Sequence, residues 1–142
     1  MQNKVEEAKK ILLGNRKDGY TLPTNNKLYP AQWNWDSAFI ALGYSYFNLD
    51  FSITEIETLL DGQWDDGMVP HILFHEKDTS YFPNHTTWKC GKNIPSSGIT
   101  QPPVIAIILK KIIENNQLNE DQNSRILKIL IKIKKYHEWF IK

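Results

Sequence analysis

Apolar residues recur at helical spacing in five stretches of this chain, and the segments between them keep no sustained period. Val5, Ala8, Ile11 and Leu12 share one face of a first helix predicted over about Asn3 to Leu13, with Gly14 placed to end it. A second helix is expected to start at Asp36 or the residue before it and to run through Ala38, Phe39, Leu42, Tyr46 and Phe47. It is apolar on nearly every side and so belongs in the interior. Ser52-Ile53-Thr54-Glu55 reads as a capping box, with the hydroxyl serving the Glu55 amide and the carboxylate reaching back to the Ser52 amide. A third helix should run from there to about Gln63. Thr100-Gln101-Pro102-Pro103 has the form of a helix start, because proline in a first turn loses no needed hydrogen bond. That fourth helix carries Val104, Ile105, Ile108, Leu109 and Ile112 to about Asn115. A fifth, from about Glu120 to the end, is expected to bury Ile126, Ile129, Leu130, Ile133, Tyr136 and Phe140, with Leu127 and Ile131 widening the stripe. The fold class is therefore all-α.

The polar segments hold most of the candidate chemistry. Between Trp64 and Thr100 stand Gly67, Pro70, Pro83, Gly91, Pro95 and Gly98, which predicts a long structured loop with short strands. Four of the five tryptophans, Trp33, Trp35, Trp64 and Trp88, fall in loops or helix mouths, so a helical scaffold should present a loop-built site. The run from Tyr29 to Phe39 crowds two tryptophans, a tyrosine, two amides and a carboxylate together, the mixture that a small polar ligand with an apolar face needs. Gln32, Asn34 and Asp36 can bond sugar hydroxyls there. Helix capping is the competing role for Asp36, and core packing the competing role for Trp33 and Trp35. Of the two rings, Trp35 beside Asp36 is the one expected to face the pocket. Asp65-Asp66-Gly67 reads as a turn rather than a catalytic pair. His71 is a candidate pocket wall; His71 and His75 lack a suitably placed third ligand, and no metal or other cofactor is expected. Tyr81, Phe82 and Trp88 either cover the pocket or pack on their own loop.

Composition narrows the partners. The chain has 142 residues, 41% apolar and 12% aromatic, enough for the core of one domain. Seventeen Lys and Arg against sixteen Asp and Glu leave a formal charge of +1, so no global field favours nucleic acid or an anionic membrane. The lysines between Lys128 and Lys135 alternate with isoleucines and read as a solvated helix face. Cys90 is the single cysteine, no signal-peptide pattern opens the chain, and no run approaches the roughly 18 apolar residues of a membrane span. A cytoplasmic location is expected.

Gly62-Gln63-Trp64-Asp65-Asp66-Gly67-Met68-Val69-Pro70-His71 and Ser96-Ser97-Gly98-Ile99-Thr100-Gln101-Pro102-Pro103 follow the Tyr29–Phe39 run in order. Together these three clusters resemble the N-terminal part of the family 63 glycoside hydrolases, especially the mannosylglycerate and glucosylglycerate hydrolase branch. Leu13-Gly14-Asn15-Arg16, Gly19-Tyr20-Thr21-Leu22-Pro23 and Tyr136-His137-Glu138-Trp139 agree, so the resemblance covers nearly the whole chain. It implies an (α/α)6 barrel with the sugar pocket at one end of a ring of helical hairpins. Five helices cannot close such a ring, so residues 1–142 should form the N-terminal portion of one catalytic domain.

The resemblance also implies an inverting mechanism, in which one carboxylic acid and one carboxylate stand about 6.5 to 9.5 Å apart. In the family the acid is an Asp in a Trp-Glu-Ser/Thr-Gly-x-Asp-Asn-Ser-Pro segment after the Tyr-His-x-Trp helix, and the base is a Glu nearer the C-terminus. Neither segment occurs in this sequence. By resemblance Tyr29, Trp33, Trp35 and Asp36 line the glycosyl subsite and Gln101 reaches the substrate. A small saccharide is the expected partner, with the remaining part of a barrel, or self-association through apolar helices, as the expected protein contact. A freestanding carbohydrate-binding module and an inactive remnant are the alternatives.

Overall fold

The computed structural model describes residues 2–24 and 28–142. Six helices and two short strands occur among them: α1 (Gln2–Gly14), β1 (Gln32–Trp33), α2 (Asn34–Ser45), α3 (Leu49–Asp61), β2 (Ile72–Leu73), α4 (His85–Trp88), α5 (Ile105–Asn115) and α6 (Glu120–Phe140). The chain is all-α, as its periodicity predicts. α2 lies at the centre, against α1, α3 and α5, while α6 packs on α3 and α5.

Small residues let α2 take that place. Ala38 and Ala41 are fully buried and leave room for Ile53, Ile56 and Leu60 of α3 and for Ile105, Leu109 and Ile112 of α5. Ile129 and Ile133 of α6 join the same core. The expectation that α2 is interior all round does not hold: it runs from Asn34 to Ser45, Phe39 is exposed, and Tyr46 lies beyond its end.

The start of α3 also differs from the capping-box reading. Asn48 is the N-cap, its side chain accepting from the Phe51 amide at 3.0 Å, so the helix opens before Ser52. Ser52 and Glu55 are then both buried inside the helix, and the Ser52 hydroxyl has no hydrogen-bond partner. A capping box does occur at α6, where Asn119 and Gln122 bond each other's main-chain amides. Thr100 to Pro103 do not form the first turn of α5, which begins at Ile105; Thr100 instead bridges Pro70, and its hydroxyl meets Tyr136.

Not every apolar stripe is covered. On α6 only Ile126, Ile129, Ile133 and Tyr136 of the expected set are buried, while Leu127, Leu130, Ile131 and Phe140 are exposed. On α1, Val5 and Ile11 are exposed as well. A bidentate pair between Arg125 and Glu57, at 3.0 and 2.6 Å, ties α6 to α3. No helix among the described residues is long and apolar enough to cross a membrane.

The long connection is built on backbone pairing. β1 and β2 are antiparallel, with Gln32 opposite Leu73 and Trp33 opposite Ile72. Ser97 N–H donates to the Ile72 carbonyl and Phe74 N–H to the Pro95 carbonyl, which lays the 95–97 segment beside β2. The Asp65–Asp66 turn closes against α6: Gly67 has φ +109°, and a Cβ there would stand 2.5 Å from the Lys135 carbonyl oxygen. That turn is what Asp-Asp-Gly predicts.

The cap assignments separate in a stability measurement. Asn48→Ala is expected to lower stability by about 1 kcal/mol through loss of the N-cap bond, and Ser52→Ala to leave it unchanged or raise it. Urea unfolding of the two variants checks the order; a larger loss at Ser52 would restore the capping box.

Candidate functional site

Asn34, Trp35 and Asp36 form the first turn of α2, where helix amides lack intrahelical partners. Those amides are served from elsewhere in the chain. Asn34 N–H donates to the His71 carbonyl at 3.0 Å, and Trp35 N–H donates to Gln101 Oε1 at 3.1 Å. Gln101 therefore sits directly beside Trp35, with its Nε2 hydrogens unengaged among the described residues. The N-cap position belongs to Trp33, which makes no side-chain cap, so Asp36 is not the N-cap. Burial holds the pKa of its carboxyl above the ordinary aspartate range, outweighing the opposing pull of its own amide and the Trp35 side chain.

Trp35 and Asp36 open onto a shallow cavity of about 270 Å³ that Pro23, Phe39 and Ile40 complete. Trp35 is 44% exposed and meets Phe39 edge to face, leaving much of the indole to solvent. Trp33 has the opposite environment. It is 6% exposed in a second apolar cluster with Ala31, Ile72 and Phe74, where Tyr29 and Tyr81 pack edge-on at 5.0 and 5.3 Å. Trp33 is thus a packing residue and Trp35 the exposed ring. Tyr29 borders the cluster around Trp33 rather than the Trp35 cavity.

His71 stands apart from that cavity. Its Nδ1 lies 2.5 Å from Ser97 Oγ, its ring meets Trp88 at 6.0 Å, and burial lowers its pKa so that the neutral form dominates near pH 7. His75 bonds Gln32 Oε1 through Nε2 at 2.7 Å and stacks on Tyr20 at 4.2 Å. Tyr81 and Trp88 pack onto their own loop and its neighbours, while Phe82 is exposed.

Two residues organise these parts and do not stand out as site residues in the sequence. Glu55, fully buried, accepts at Oε1 from Ser37 Oγ (2.8 Å), Thr21 N–H (3.2 Å) and Gln32 Nε2 (3.2 Å), and at Oε2 from Thr21 Oγ1 (2.8 Å). Tyr136, also fully buried, donates to the Gln101 carbonyl at 2.8 Å and accepts from Asn34 Nδ2 at 3.2 Å. A carboxylate at the spacing of Ser52, Ile56 and Leu59, the buried stripe of α3, was the available signal for Glu55.

Known proteins are similar to this chain in sequence and fold. The family described as "Mannosylglycerate hydrolase MGH1-like glycoside hydrolase domain" matches residues 29–142. The chain belongs to this glycoside hydrolase family. Mannosylglycerate hydrolase MGH2 of Selaginella moellendorffii is 40% identical over 137 residues, 96% of this chain and 28% of that protein. The mannosylglycerate hydrolase of Thermus thermophilus is 39% identical over 136 residues, 94% of this chain and 32% of its own length. The chain thus spans about a third of these MGH1-like relatives. A crystal structure of the GH63 mannosylglycerate hydrolase from Thermus thermophilus in complex with Tris superposes with a TM-score of 0.88 at 38% identity, over 94% of this chain and 32% of that one. The all-α arrangement is therefore an N-terminal portion of a GH63-type helical barrel.

Burial pushes the Glu55 carboxyl up from 4.5 to about 7 against the pull of its Ser37, Thr21 and Gln32 donors. The folded chain holds that proton over a pH range in which the unfolded chain has released it. Stability should fall as pH rises from 4.5 to about 7 and be level above. The contribution is at most about 3 kcal/mol. Urea unfolding at a series of pH values checks this: the slope belonging to Glu55 disappears in Glu55→Gln, and equal slopes in both proteins would refute it.

Proposed function

We propose that residues 1–142 supply the glycosyl-recognition wall of an inverting glycoside hydrolase acting on a small mannoside or glucoside such as mannosylglycerate or glucosylglycerate. The observation that carries this reading is the exposed Trp35 ring beside the half-buried Asp36 carboxyl, at the mouth of a helix in an MGH1-like chain. An indole gives a pyranose an apolar face to stack on, and Asp36 and the Gln101 amide hydrogens bond its hydroxyls. Tyr29, Trp33 and His71 belong to the supporting wall in this reading, Trp33 through packing.

The acid and base of the reaction come from the part of the relatives that this chain does not span. Subsite contacts without them bind and do not cleave. The exposed Leu127, Ile131 and Phe140 on α6 and Val5 and Ile11 on α1 are the faces against which the rest of such a barrel packs. A cytoplasmic setting fits the free Cys90.

Calorimetric titration of the 142-residue chain with mannosylglycerate and glucosylglycerate tests the reading. Saturable binding in the millimolar range without hydrolysis is expected, and Trp35→Ala should weaken it about tenfold, equivalent to about 1.4 kcal/mol. A folded chain that binds neither compound would sink the proposal, and hydrolysis by these residues alone would refute the placement of the acid and base. Sedimentation measures the apolar faces separately: the chain should self-associate, and Leu127→Glu with Ile131→Glu should reduce that association.

A further inference from the structure

We infer that Glu55 is a positioning residue for the saccharide wall, its carboxylate fixing from within the core the chain segments that converge on the Trp35–Asp36 cavity. This rests on the reading of that cavity as a glycosyl subsite. Three segments are held. Thr21, whose N–H and hydroxyl both donate to Glu55, stands two residues before Pro23 of the cavity wall. Ser37, donating at 2.8 Å, directly follows Asp36. Gln32, which directly precedes Trp33, donates through Nε2 to both the carboxylate and the main-chain carbonyl of Glu55.

The chemistry of the hub explains why a carboxylate occupies it. Four hydrogen-bond contacts converge from side-chain and main-chain donors, and an ionised carboxylate offers only acceptors. A glutamine would turn an N–H₂ group toward at least one of those donors. An apolar residue would fill the volume and leave Thr21, Gln32 and Ser37 buried without partners, although nothing in core packing requires those three segments to meet at one atom pair. With both Gln32 Nε2 hydrogens on the Glu55 carboxylate and carbonyl, Gln32 Oε1 is left to accept from His75, whose Nε2 then carries the ring proton. None of Thr21, Gln32, Ser37 or Glu55 is exposed, so their effect on a ligand passes through Pro23, Trp35 and Asp36.

The test uses the 142-residue chain at about pH 8, where Glu55 is ionised. Glu55→Gln and Ser37→Ala are compared with Asn116→Ala, which removes the Asn116 Nδ2 bond to the Ile112 carbonyl at the C-terminal end of α5 and touches neither the hub nor Gln101. Two quantities are read by NMR: the indole and main-chain N–H resonances of Trp35 and Asp36, and affinity for mannosylglycerate from their shifts on titration. Glu55→Gln should move the Trp35 and Asp36 resonances and weaken affinity by about tenfold. Ser37→Ala should move both in the same direction by less, and Asn116→Ala should leave both at their wild-type values. Unchanged resonances in a folded Glu55→Gln chain overturn the inference, and so does an equal change in Asn116→Ala. Should Glu55→Gln fail to fold, Ser37→Ala decides by the same criteria. A wild-type chain that binds no saccharide removes the subsite reading, while the Trp35 and Asp36 resonances of the variants still decide whether Glu55 positions them.

Discussion

A carboxylate in the core of this small helical arc constrains nearly everything else about it. Glu55 lies on the buried stripe of α3, and among the described residues no lysine or arginine figures in its electrostatic surroundings. Moving such a group out of water is costly unless donors replace its hydration. The donors come from Thr21 between α1 and β1, from Gln32 in β1 and from Ser37 in α2, so satisfying one side chain determines how three segments approach α3. β1 pairs with β2 with Gln32 opposite Leu73, and in that register Gln32 reaches both Glu55 and His75. Satisfaction is complete at Gln32, where both amide hydrogens and the oxygen are engaged.

A second polar knot does for the mouth of α2 what Glu55 does behind it. The Tyr136 hydroxyl joins Asn34, Thr100 and Gln101, and Asn34 passes the link on to the Val69 and Pro70 carbonyls. α6, distant in sequence from α2, thereby sets where Gln101 stands, and Gln101 in turn caps the Trp35 amide. Burial raises the pKa of Tyr136, against the hydrogen bonds from Thr100 and Asn34, so the hydroxyl stays protonated and able to donate. The tyrosine of the Tyr-His-x-Trp run therefore acts through structure, and its neighbour Trp139 anchors the Asp65–Asp66 turn through Asp66 at 3.0 Å.

The two knots leave Trp35 and Asp36 held on both sides and open on the third. That arrangement suits the proposed recognition wall: the ring is exposed while its backbone is held by other residues. The apolar residues left uncovered on α1 and α6 lie outside both knots, on helices whose packed faces are already complete against α2, α3 and α5.

The helices were legible in the sequence because apolar periodicity is local, and four of the five expected spans lie within a few residues of α1, α2, α3 and α6. The three motif clusters were legible for a different reason: they resemble a known family, and the family match spans residues 29–142, which hold all three. What pattern reasoning assigned wrongly has a common cause. Ser52-Ile53-Thr54-Glu55 satisfies the capping-box pattern, and Thr100-Gln101-Pro102-Pro103 the helix-start pattern, but Glu55 and Thr100 are engaged by residues far away in the chain. Leu127, Leu130, Ile131 and Phe140 fit the stripe of α6 but reach past the neighbours available to cover them. Local sequence was enough to set which stretches are helical and that the Tyr29–Phe39 run mixes aromatic, amide and carboxylate side chains, because both depend on neighbours along the chain. Tertiary structure alone decided that Trp35 is exposed and Trp33 is not, and that Glu55 faces the interior, because those outcomes depend on which distant donors and rings arrive at the same place.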